Sequence, residues 1–210
     1  MPDLSIEHTC DGIVAGIDEA GRGPWAGPVV AAAVVLNEGL PTELRDQLND
    51  SKKLVATKRQ ALLHLIRKCA DIGIGAASVT EIERHNILAA THTAMKRAIL
   101  RLSAIPDIVL IDGNNLPSCL PCSGKAVVKG DTLSLSIAAA SIVAKVTRDR
   151  TMAALAARYP DYGWERNVGY GTRQHQDGLF SNGITPHHRR TFGPITKLLG
   201  ASHRVIPKIV

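Results

Sequence analysis

Short apolar runs alternate with longer amphipathic stretches along this chain, and these two patterns predict strands and helices respectively. Five apolar runs predict strands, at residues 13–18, 28–36, 72–79, 108–111 and 126–128. Amphipathic stretches predict helices at residues 57–70, 87–102, 137–158 and 172–181. Three strands come first, and helices separate the last two. This order predicts an α/β fold, with a five-stranded mixed sheet flanked by helices and a helical C-terminal segment.

Polar residues indicate where the predicted helices begin. Thr57 with Gln60, and Thr80 with Glu83, have the spacing of a capping box, in which each side chain bonds the other residue's backbone N–H. Asn86 is a further capping residue, placed before the apolar stripe of residues 87–102. The alanine-rich start of the helix at 137–158 predicts that it lies close against a sheet or another helix.

The composition is that of a protein that folds in water. Hydrophobic residues make up 45% and charged residues 21% of the 210-residue chain, which suits one domain with a single core. The longest apolar run, residues 29–36, is too short to cross a bilayer. The N-terminus lacks the basic and apolar regions of a secretory signal. We therefore expect a cytoplasmic protein.

The four cysteines of the chain include one C-x-x-C pair, formed by Cys119 and Cys122. A structural zinc ion needs four ligands, and no second pair follows at a useful distance. The spacing therefore favours free thiols, and a zinc or redox role is the weaker alternative.

Positive charge is concentrated towards the C-terminus. The formal net charge is +6, and residues 164–210 hold seven Lys and Arg against two acidic residues, which accounts for five of those charges. Six of the seven aromatic residues lie between 159 and 192. Arginine contacts phosphate, and aromatic rings stack on sugars or bases, so this segment predicts nucleic-acid binding. A basic solvated surface over a small aromatic core explains the same pattern equally well.

Acidic residues stand at the ends of three predicted strands. Asp18 and Glu19 lie at the end of the first strand, Asp112 follows the run 108–111, and Asp131 follows the fifth strand. Burying an unpaired carboxylate is costly, so strand ends of this kind predict a cation between them. Mg²⁺ prefers carboxylate and water oxygens, and phosphodiester cleavage commonly uses two ions about 4 Å apart.

Asp18 and Glu19 can bind the same metal cluster only under one geometric condition, because they are adjacent in sequence. Successive side chains of a regular strand point to opposite faces of the sheet. Both carboxylates can reach one metal cluster only if the strand ends at this point, and the glycines that follow directly predict such an end.

Several motifs, in the same order along the chain, resemble those of bacterial type 2 ribonuclease H (ribonuclease HII) over about residues 12–199. They are residues 16–24 (GIDEAGRGP), 50–54 (DSKKL), 111–113 (IDG), 129–131 (KGD), 137–149 (IAAASIVAKVTRD), 169–172 (GYGT) and 188–194 (HRRTFGP). Their ordered combination is highly specific.

The resemblance implies a ribonuclease H-like fold and a site for two Mg²⁺ or Mn²⁺ ions. By motif position, the metal-binding and catalytic carboxylates are Asp18, Glu19, Asp112 and Asp131. The implied reaction is hydrolysis of the RNA strand of RNA–DNA hybrids, including single ribonucleotides embedded in duplex DNA. Water attacks the phosphodiester on the 5′ side of the ribonucleotide and leaves 3′-hydroxyl and 5′-phosphate ends. Such an enzyme supports ribonucleotide removal from DNA.

The resemblance also implies contacts with the substrate. The turn of Gly21, Arg22 and Gly23 would bring backbone groups to the 2′-hydroxyl that separates RNA from DNA, although a simple tight turn is the alternative. Tyr170 would pack on the sugar beside the ribonucleotide and select the RNA-to-DNA junction, with a core tyrosine as the alternative. Lys52 would bind phosphate or else be solvated.

Further residues of the motifs have assigned or open roles. His188, Arg189 and Arg190 are expected to bind the nucleic-acid backbone. Asp149 follows Lys145 by four residues on one helix, which predicts an exposed ion pair rather than another metal ligand. Two residues depart from the family pattern, since lysine is usual at the position of Val168 and serine at that of Thr191.

These expectations define a type 2 ribonuclease H domain over residues 11–202, with a catalytic α/β core at 1–158 and a helical nucleic-acid-binding segment at 159–202. The expected partners are RNA–DNA hybrid and ribonucleotide-containing duplex DNA, with no membrane, and the expected state is a monomer. One alternative is another nuclease of the same fold, which would lack the Gly-Arg-Gly turn beside its acids. The second is a non-catalytic RNA- or hybrid-binding protein, which would need no acidic cluster.

Overall fold

The computed structural model describes residues 1–48 and 54–202. Five strands are present in these residues: β1 Val14–Ala20, β2 Val29–Leu36, β3 Ala70–Ala77, β4 Ile108–Asp112 and β5 Ser123–Val127. They form one sheet in the order β3-β2-β1-β4-β5. β1 is antiparallel to β2, and β2 to β3, whereas β4 is parallel to both β1 and β5. The predicted five-stranded mixed sheet is confirmed. The candidate phosphate ligand Lys52 lies outside the described residues.

The fifth strand begins earlier than the predicted residues 126–128. β5 lies at the edge of the sheet, and its outward positions Ser123 and Lys125 are exposed. An edge strand that is half solvated lacks the continuous apolar run that marks a buried strand. The apolar residues at 126–128 therefore indicated only the end of this strand.

Seven α-helices are present in the described ranges. They are α1 Thr42–Gln47, α2 Ala56–Cys69, α3 Val79–Ile99, α4 Leu135–Arg158, α5 Trp164–Asn167, α6 Arg173–Asn182 and α7 Gly193–Ser202. α3 packs on one face of the sheet, where Ala31 and Ala33 are buried, and α2 and α4 pack on the other face, where Ala32 and Val34 are buried. The prediction of helices on both faces is confirmed. None of these helices combines the length and the apolar character needed to cross a membrane.

The two predicted capping boxes are wrong. α2 begins at Ala56, so Thr57 already lies within the helix and cannot be its N-cap residue. The residue at the N-cap makes no side-chain cap hydrogen bond. The capping box of α3 is formed by Ser78 and Glu81, two residues before the predicted pair. The Ser78 side chain accepts a hydrogen bond from the Glu81 N–H, and Glu81 Oε2 accepts one from the Ser78 N–H at 2.9 Å.

The predicted cap at Asn86 is confirmed inside a longer, kinked helix. Asn86 has a φ of 68°, which interrupts α3. Its Oδ1 accepts hydrogen bonds from the N–H groups of Leu88 and Ala89, at 2.9 and 3.1 Å. The first part of α3 therefore continues into a second part that Asn86 caps.

The alanine-rich start of α4 lies directly against β1. Ala138, Ala139 and Ala140 are fully buried. A Cβ atom added at Gly16 of β1 would lie 2.1 Å from the carbonyl carbon of Ser136. The backbones of strand and helix are therefore in contact, as the small residues predicted, and this contact sets the start of α4 beside the end of β1.

The aromatic residues of the C-terminal segment divide between core and surface. Tyr162 and Trp164 are buried in a small core that also contains Ala26 and Met152. Tyr170 and Phe180 are 51% and 91% exposed. The predicted small aromatic core is therefore confirmed for part of the segment, and nucleic-acid binding by the exposed rings stays a prediction.

Candidate active site

Three of the four predicted carboxylates lie together at one end of the sheet. β1 and β4 are parallel neighbours, so Asp18 and Asp112 lie at the same end of their strands. Asp131 lies in the short turn after β5, and the Gly130 N–H of this turn donates to Asp112 Oδ1 at 2.7 Å. Carboxylate oxygens of Asp18, Asp112 and Asp131 lie within 4.8 Å of one another. These three residues are called the acidic pocket below.

Asp18 is a buried carboxyl group beside other acids. Only 5% of the residue is exposed. Burial, followed by the charges of Glu19 and Asp112, raises the pKa of Asp18 well above its ordinary value. The Ser141 hydroxyl and the Glu19 backbone N–H, the latter at 2.7 Å, donate to the Asp18 carboxylate and oppose this rise. A cation in the pocket would stabilise the charged form of Asp18.

The donor atoms of the acidic pocket fit a hard divalent cation. Its three groups offer only oxygen, which suits Mg²⁺ or Mn²⁺ rather than a softer metal. Within residues 1–48 and 54–202 this is the one cluster of its kind, and neither Cys119 nor Cys122 belongs to it. All four cysteines are free, and Cys119 is exposed, so the described structure does not support the zinc alternative.

Glu19, the fourth predicted carboxylate, is not part of this cluster. Its Oε1 forms an ion pair with Arg22 Nη1 at 3.2 Å. The prediction that the first strand ends at Asp18 is wrong, because β1 continues to Ala20 and adjacent side chains of a strand alternate between its faces. Glu19 still lies near enough to the pocket for its charge to raise the pKa of Asp18.

A cavity of about 400 Å³ brings the predicted sugar contacts together with Glu19. Gly21, Arg22, Gly23 and Tyr170 all line it. A Cβ atom added at Gly23 would lie 3.4 Å from Tyr170 Cε1, so the tyrosine ring packs against this glycine. Tyr170 is 51% exposed, which contradicts the alternative that it is a core tyrosine.

Close packing explains why the turn begins with glycine. Gly21 has a φ of +100°, and a Cβ atom there would lie 1.9 Å from Arg148 Nε. Both the backbone conformation and the space exclude a larger residue. The turn therefore has a structural reason for its glycine, in addition to any contact with a substrate.

The expectation that His188 and Arg189 contact the nucleic-acid backbone is contradicted by their burial, since they are 1% and 0% exposed. His188 Nδ1 accepts a hydrogen bond from the Thr185 N–H at 2.9 Å, and its Nε2 lies 2.9 Å from His175 Nε2. Burial, with a smaller effect of His175, lowers the pKa of His188 to about 3, so the ring is neutral. The guanidinium of Arg189 bonds backbone carbonyls of Gly21, Arg22 and Gly27. Both side chains are structural.

Arg190 differs from its two neighbours because it is exposed. Its backbone N–H donates to Glu83 Oε1 at 2.6 Å, which fixes the main chain and leaves the side chain on the surface. Of these three successive residues, Arg190 is therefore the one whose position suits a contact with phosphate.

The predicted ion pair on α4 is confirmed. Lys145 Nζ lies 2.8 Å from Asp149 Oδ1, and Arg59 Nη2 lies 3.6 Å from Asp149 Oδ2. The pair is partly buried rather than fully exposed. Asp149 is outside the acidic pocket, in agreement with the prediction that it is not a metal ligand.

Two residues of the site were not identified from the sequence. Ser141, whose hydroxyl donates to Asp18, was assigned no role from its position in the motif 137–149. Arg148 is 1% exposed and lies four residues after the buried Ala144 and four before the buried Met152. A charged residue on a helix's apolar stripe is a signal that could have indicated a structural role for Arg148.

Comparison with known proteins agrees with this geometry. The family model described as ribonuclease HII matches residues 15–194 of the chain. The ribonuclease HII of Rhodospirillum rubrum is 57% identical over 205 residues, which cover 96% of this chain and 94% of the relative. The ribonuclease HII of Granulibacter bethesdensis is 57% identical over 202 residues, which cover 95% of this chain and 92% of the relative.

Solved structures show the same fold. The crystal structure of ribonuclease H2 from Pyrococcus horikoshii superposes with a TM-score of 0.78 at 27% identity, covering 91% of this chain and 99% of that one. The mixed sheet with helices on both faces is thus the ribonuclease H-like fold that the motifs implied.

Proposed function

The chain belongs to the ribonuclease HII family and is a ribonuclease H, a hydrolase, and from that premise we propose its substrate and chemistry. It hydrolyses the RNA strand of RNA–DNA hybrids and cuts on the 5′ side of single ribonucleotides embedded in duplex DNA. The products carry 3′-hydroxyl and 5′-phosphate ends, and the reaction supports ribonucleotide removal from DNA.

The observation that carries the proposal is the juxtaposition of two groups of residues. The acidic pocket offers oxygens within 4.8 Å of one another. The neighbouring cavity is lined by Glu19, the Gly-Arg-Gly turn and Tyr170. A site that cuts next to a ribose needs a cation site for the phosphate and a surface that recognises the sugar, and this arrangement offers both.

Asp18, Asp112 and Asp131 would hold two Mg²⁺ or Mn²⁺ ions. Glu19 is proposed as the fourth ligand on its motif position alone, and its side chain would have to turn from Arg22 towards the acidic pocket to bind. When bound, such ions supply an activated water and stabilise the negative charge that develops on the leaving oxygen. The contribution of the protein is to hold the carboxylates in place. Ser141 orients Asp18 through its hydroxyl, and the Gly130 N–H orients Asp112.

The turn and the tyrosine would discriminate between RNA and DNA. The 2′-hydroxyl distinguishes the two sugars, and the backbone of residues 21–23 can approach it closely because two of the three residues are glycines. The half-exposed ring of Tyr170 would pack on the adjacent sugar, where a second 2′-hydroxyl would clash. This contact would select the junction at which RNA is followed by DNA.

Phosphate contacts would come from exposed basic residues. Arg22 lines the cavity and Arg190 is exposed, so both suit electrostatic contact with the duplex backbone. Lys52 is proposed on its motif position alone. We propose that the monomer is the active form, because the acidic pocket and the residues lining the neighbouring cavity together make up the proposed site.

The test is incubation of the protein with labelled duplex DNA that contains one ribonucleotide, in Mg²⁺ and in EDTA. We expect one cut on the 5′ side of the ribonucleotide in Mg²⁺, no cut in EDTA, and no cut in an all-DNA duplex of the same sequence. Binding without cleavage would instead indicate a non-catalytic hybrid-binding protein. Cleavage of the all-DNA duplex would indicate another nuclease of this fold.

A further inference from the structure

Two buried arginines lie beneath the loop that joins β1 to β2. Arg148 on α4 is 1% exposed and Arg189, which precedes α7, is 0% exposed. In the described part of the chain neither forms an ion pair with a carboxylate. Burying a guanidinium is costly unless its donors are satisfied, so the partners of this arginine pair show what it is for.

Arg148 binds two separate segments with one guanidinium. Its Nε donates to the Pro28 carbonyl at 3.0 Å and its Nη2 to the Ala26 carbonyl at 3.1 Å, both in the β1–β2 loop. Its Nη1 donates to the Val168 carbonyl at 2.9 Å, two residues before Tyr170. The rigid, planar fork of arginine therefore connects the loop to the segment that carries the tyrosine.

Arg189 holds the same loop closer to its Gly-Arg-Gly turn. Its Nη2 donates to the carbonyls of Gly21 and Gly27, at 2.5 and 2.8 Å, and its Nε also donates to Gly27. Its Nη1 donates to the Arg22 carbonyl at 2.8 Å. Backbone oxygens of the turn are thus fixed from behind, on the side away from solvent.

The segment before Tyr170 has a conformation that needs such support. Val168 has a φ of 45°, a left-handed conformation that is unfavourable for a β-branched residue. Strain of this kind persists only where the surroundings enforce it. The Arg148 bond to the Val168 carbonyl is one constraint, and the Trp25 N–H, which donates to the Gly169 carbonyl at 2.8 Å, is another that also comes from the loop.

We propose that Arg148 and Arg189 are positioning residues that fix the gap between the Gly-Arg-Gly turn and the Tyr170 ring. Through this gap they set the preference for a single ribonucleotide over continuous RNA. This inference rests on the proposed function, because it assigns to the arginine pair control of that function's selectivity. Arg148 lines the cavity together with the turn and Tyr170, but its guanidinium is bonded to backbone carbonyls, and neither arginine belongs to the acidic pocket.

Replacement by lysine separates the positive charge of arginine from the planar geometry of its guanidinium group. Arg148→Lys keeps a positive charge but cannot bond three carbonyls in one plane, so the loop and the Tyr170 segment lose their shared anchor. The matched control is Arg150→Lys, since Arg150 is an exposed arginine two residues further along the same helix.

The experiment measures kcat/KM in Mg²⁺ on two substrates: duplex DNA with one ribonucleotide, and a continuous RNA–DNA hybrid. Displacing a binding group by about 1 Å costs as much as about 10²-fold in rate, so for Arg148→Lys we expect the single-ribonucleotide rate to fall about tenfold more than the hybrid rate. The ratio of kcat/KM on the single-ribonucleotide substrate to kcat/KM on the hybrid should be the same in Arg150→Lys as in the unmodified protein. An unchanged ratio in folded Arg148→Lys overturns the inference.

A double variant distinguishes positioning from a general loss of stability. If Arg148 acts through the tyrosine, Arg148→Lys should lower the ratio no further once Tyr170→Ala is present, because coupled residues are not additive. An equal further fall in the double variant would show that Arg148 acts independently of Tyr170, and would overturn the inference.

Arg189→Lys provides a second measurement of the same ratio, and it decides the question if circular dichroism shows that Arg148→Lys does not fold. The proposed function is tested separately by the unmodified protein. If that protein cuts neither substrate in Mg²⁺, the proposed function fails. If it cuts both and neither lysine variant alters the ratio, only the inference on the arginine pair fails.

Discussion

The acidic pocket brings together negatively charged side chains, and the arginine pair brings together positively charged ones. The two groups differ in how their charges are satisfied. The three aspartates converge, with oxygens within 4.8 Å of one another, and burial, followed by the charges of Glu19 and Asp112, raises the pKa of Asp18. The two guanidiniums are instead distributed among backbone carbonyls of two segments. Side chains of like charge that converge on one point indicate a binding site for an ion of opposite charge. Side chains of like charge that each bond separate backbone groups indicate a structural role.

The largest effect is expected from the acidic pocket, with Asp18→Asn. The loss of a metal ligand removes several kcal/mol of stabilisation of the transition state, so we expect cleavage to fall about 10³-fold or more. Substrate binding should remain, because the recognition surface is intact. The measurement is cleavage of duplex DNA with one ribonucleotide, and turnover at the normal rate would remove Asp18 from the metal-binding set.

The same substitution should stabilise the fold when no metal is present. The pKa of Asp18 is higher in the folded than in the unfolded chain, so the folded state loses stability as pH rises from the unfolded pKa through the folded one. Asparagine does not ionise and avoids this loss. In EDTA at neutral pH we expect the melting temperature of Asp18→Asn to rise, by about 2–4 °C for each kcal/mol of stability that ionisation of Asp18 removes. Asp46→Asn, at an exposed aspartate of α1, should change neither activity nor stability.

An intermediate effect is expected from the recognition surface, with Tyr170→Ala. Loss of the ring should lower cleavage at single ribonucleotides by about tenfold or more, since stacking of an aromatic ring contributes about 1–3 kcal/mol. Cleavage within long RNA should fall less. The control is Phe180→Ala, which removes another exposed aromatic ring. Equal losses of Tyr170→Ala on both substrates would show that the tyrosine does not recognise the junction.

The smallest effect is expected from the surface charge, with Arg190→Gln. One phosphate contact fewer should weaken binding a few-fold on every substrate and reduce the slope of log K against log salt by about one. Arg101→Gln, at an exposed arginine after α3, serves as the control. A change of substrate preference in Arg190→Gln would contradict the distinction between exposed and buried arginines, because that effect is expected of Arg189.

The sheet and the acidic pocket could be predicted because both depend on short stretches of sequence. The apolar run 108–111 ends in Asp112, and an acid directly after a buried strand is visible without knowledge of the fold. That the strand ends meet follows from the parallel order of β1 and β4. The positions of the acids alone indicated a metal site that includes Asp131, whereas the role expected of Tyr170 came from the family motifs.

The roles of His188 and Arg189 could not be predicted because they depend on tertiary packing. His188, Arg189 and Arg190 are three successive polar residues, and nothing local shows that two are buried and the third exposed. The loop carbonyls that Arg189 bonds lie more than 160 residues away in sequence. The predicted capping box of α3 was wrong for a related reason. Ser78 precedes Glu81 by three residues, as Thr80 precedes Glu83, so the spacing alone does not show which pair begins the helix.

The contact between Gly16 and α4 has a consequence for the tolerance of the whole site to substitution. A single methyl group at this position would have to occupy the space of the Ser136 carbonyl carbon, 2.1 Å away, and could be accommodated only by lifting the helix from the strand. Asp18 lies two residues further along that strand, and Ser141 lies in the second turn of that helix. Gly16, which has a hydrogen atom in place of a side chain, therefore fixes the spacing between β1 and α4, and with it the positions of Asp18 and Ser141 relative to each other. If the acidic pocket binds Mg²⁺, which accepts little variation in ligand distance, a larger residue at this position would weaken metal binding without contacting the metal.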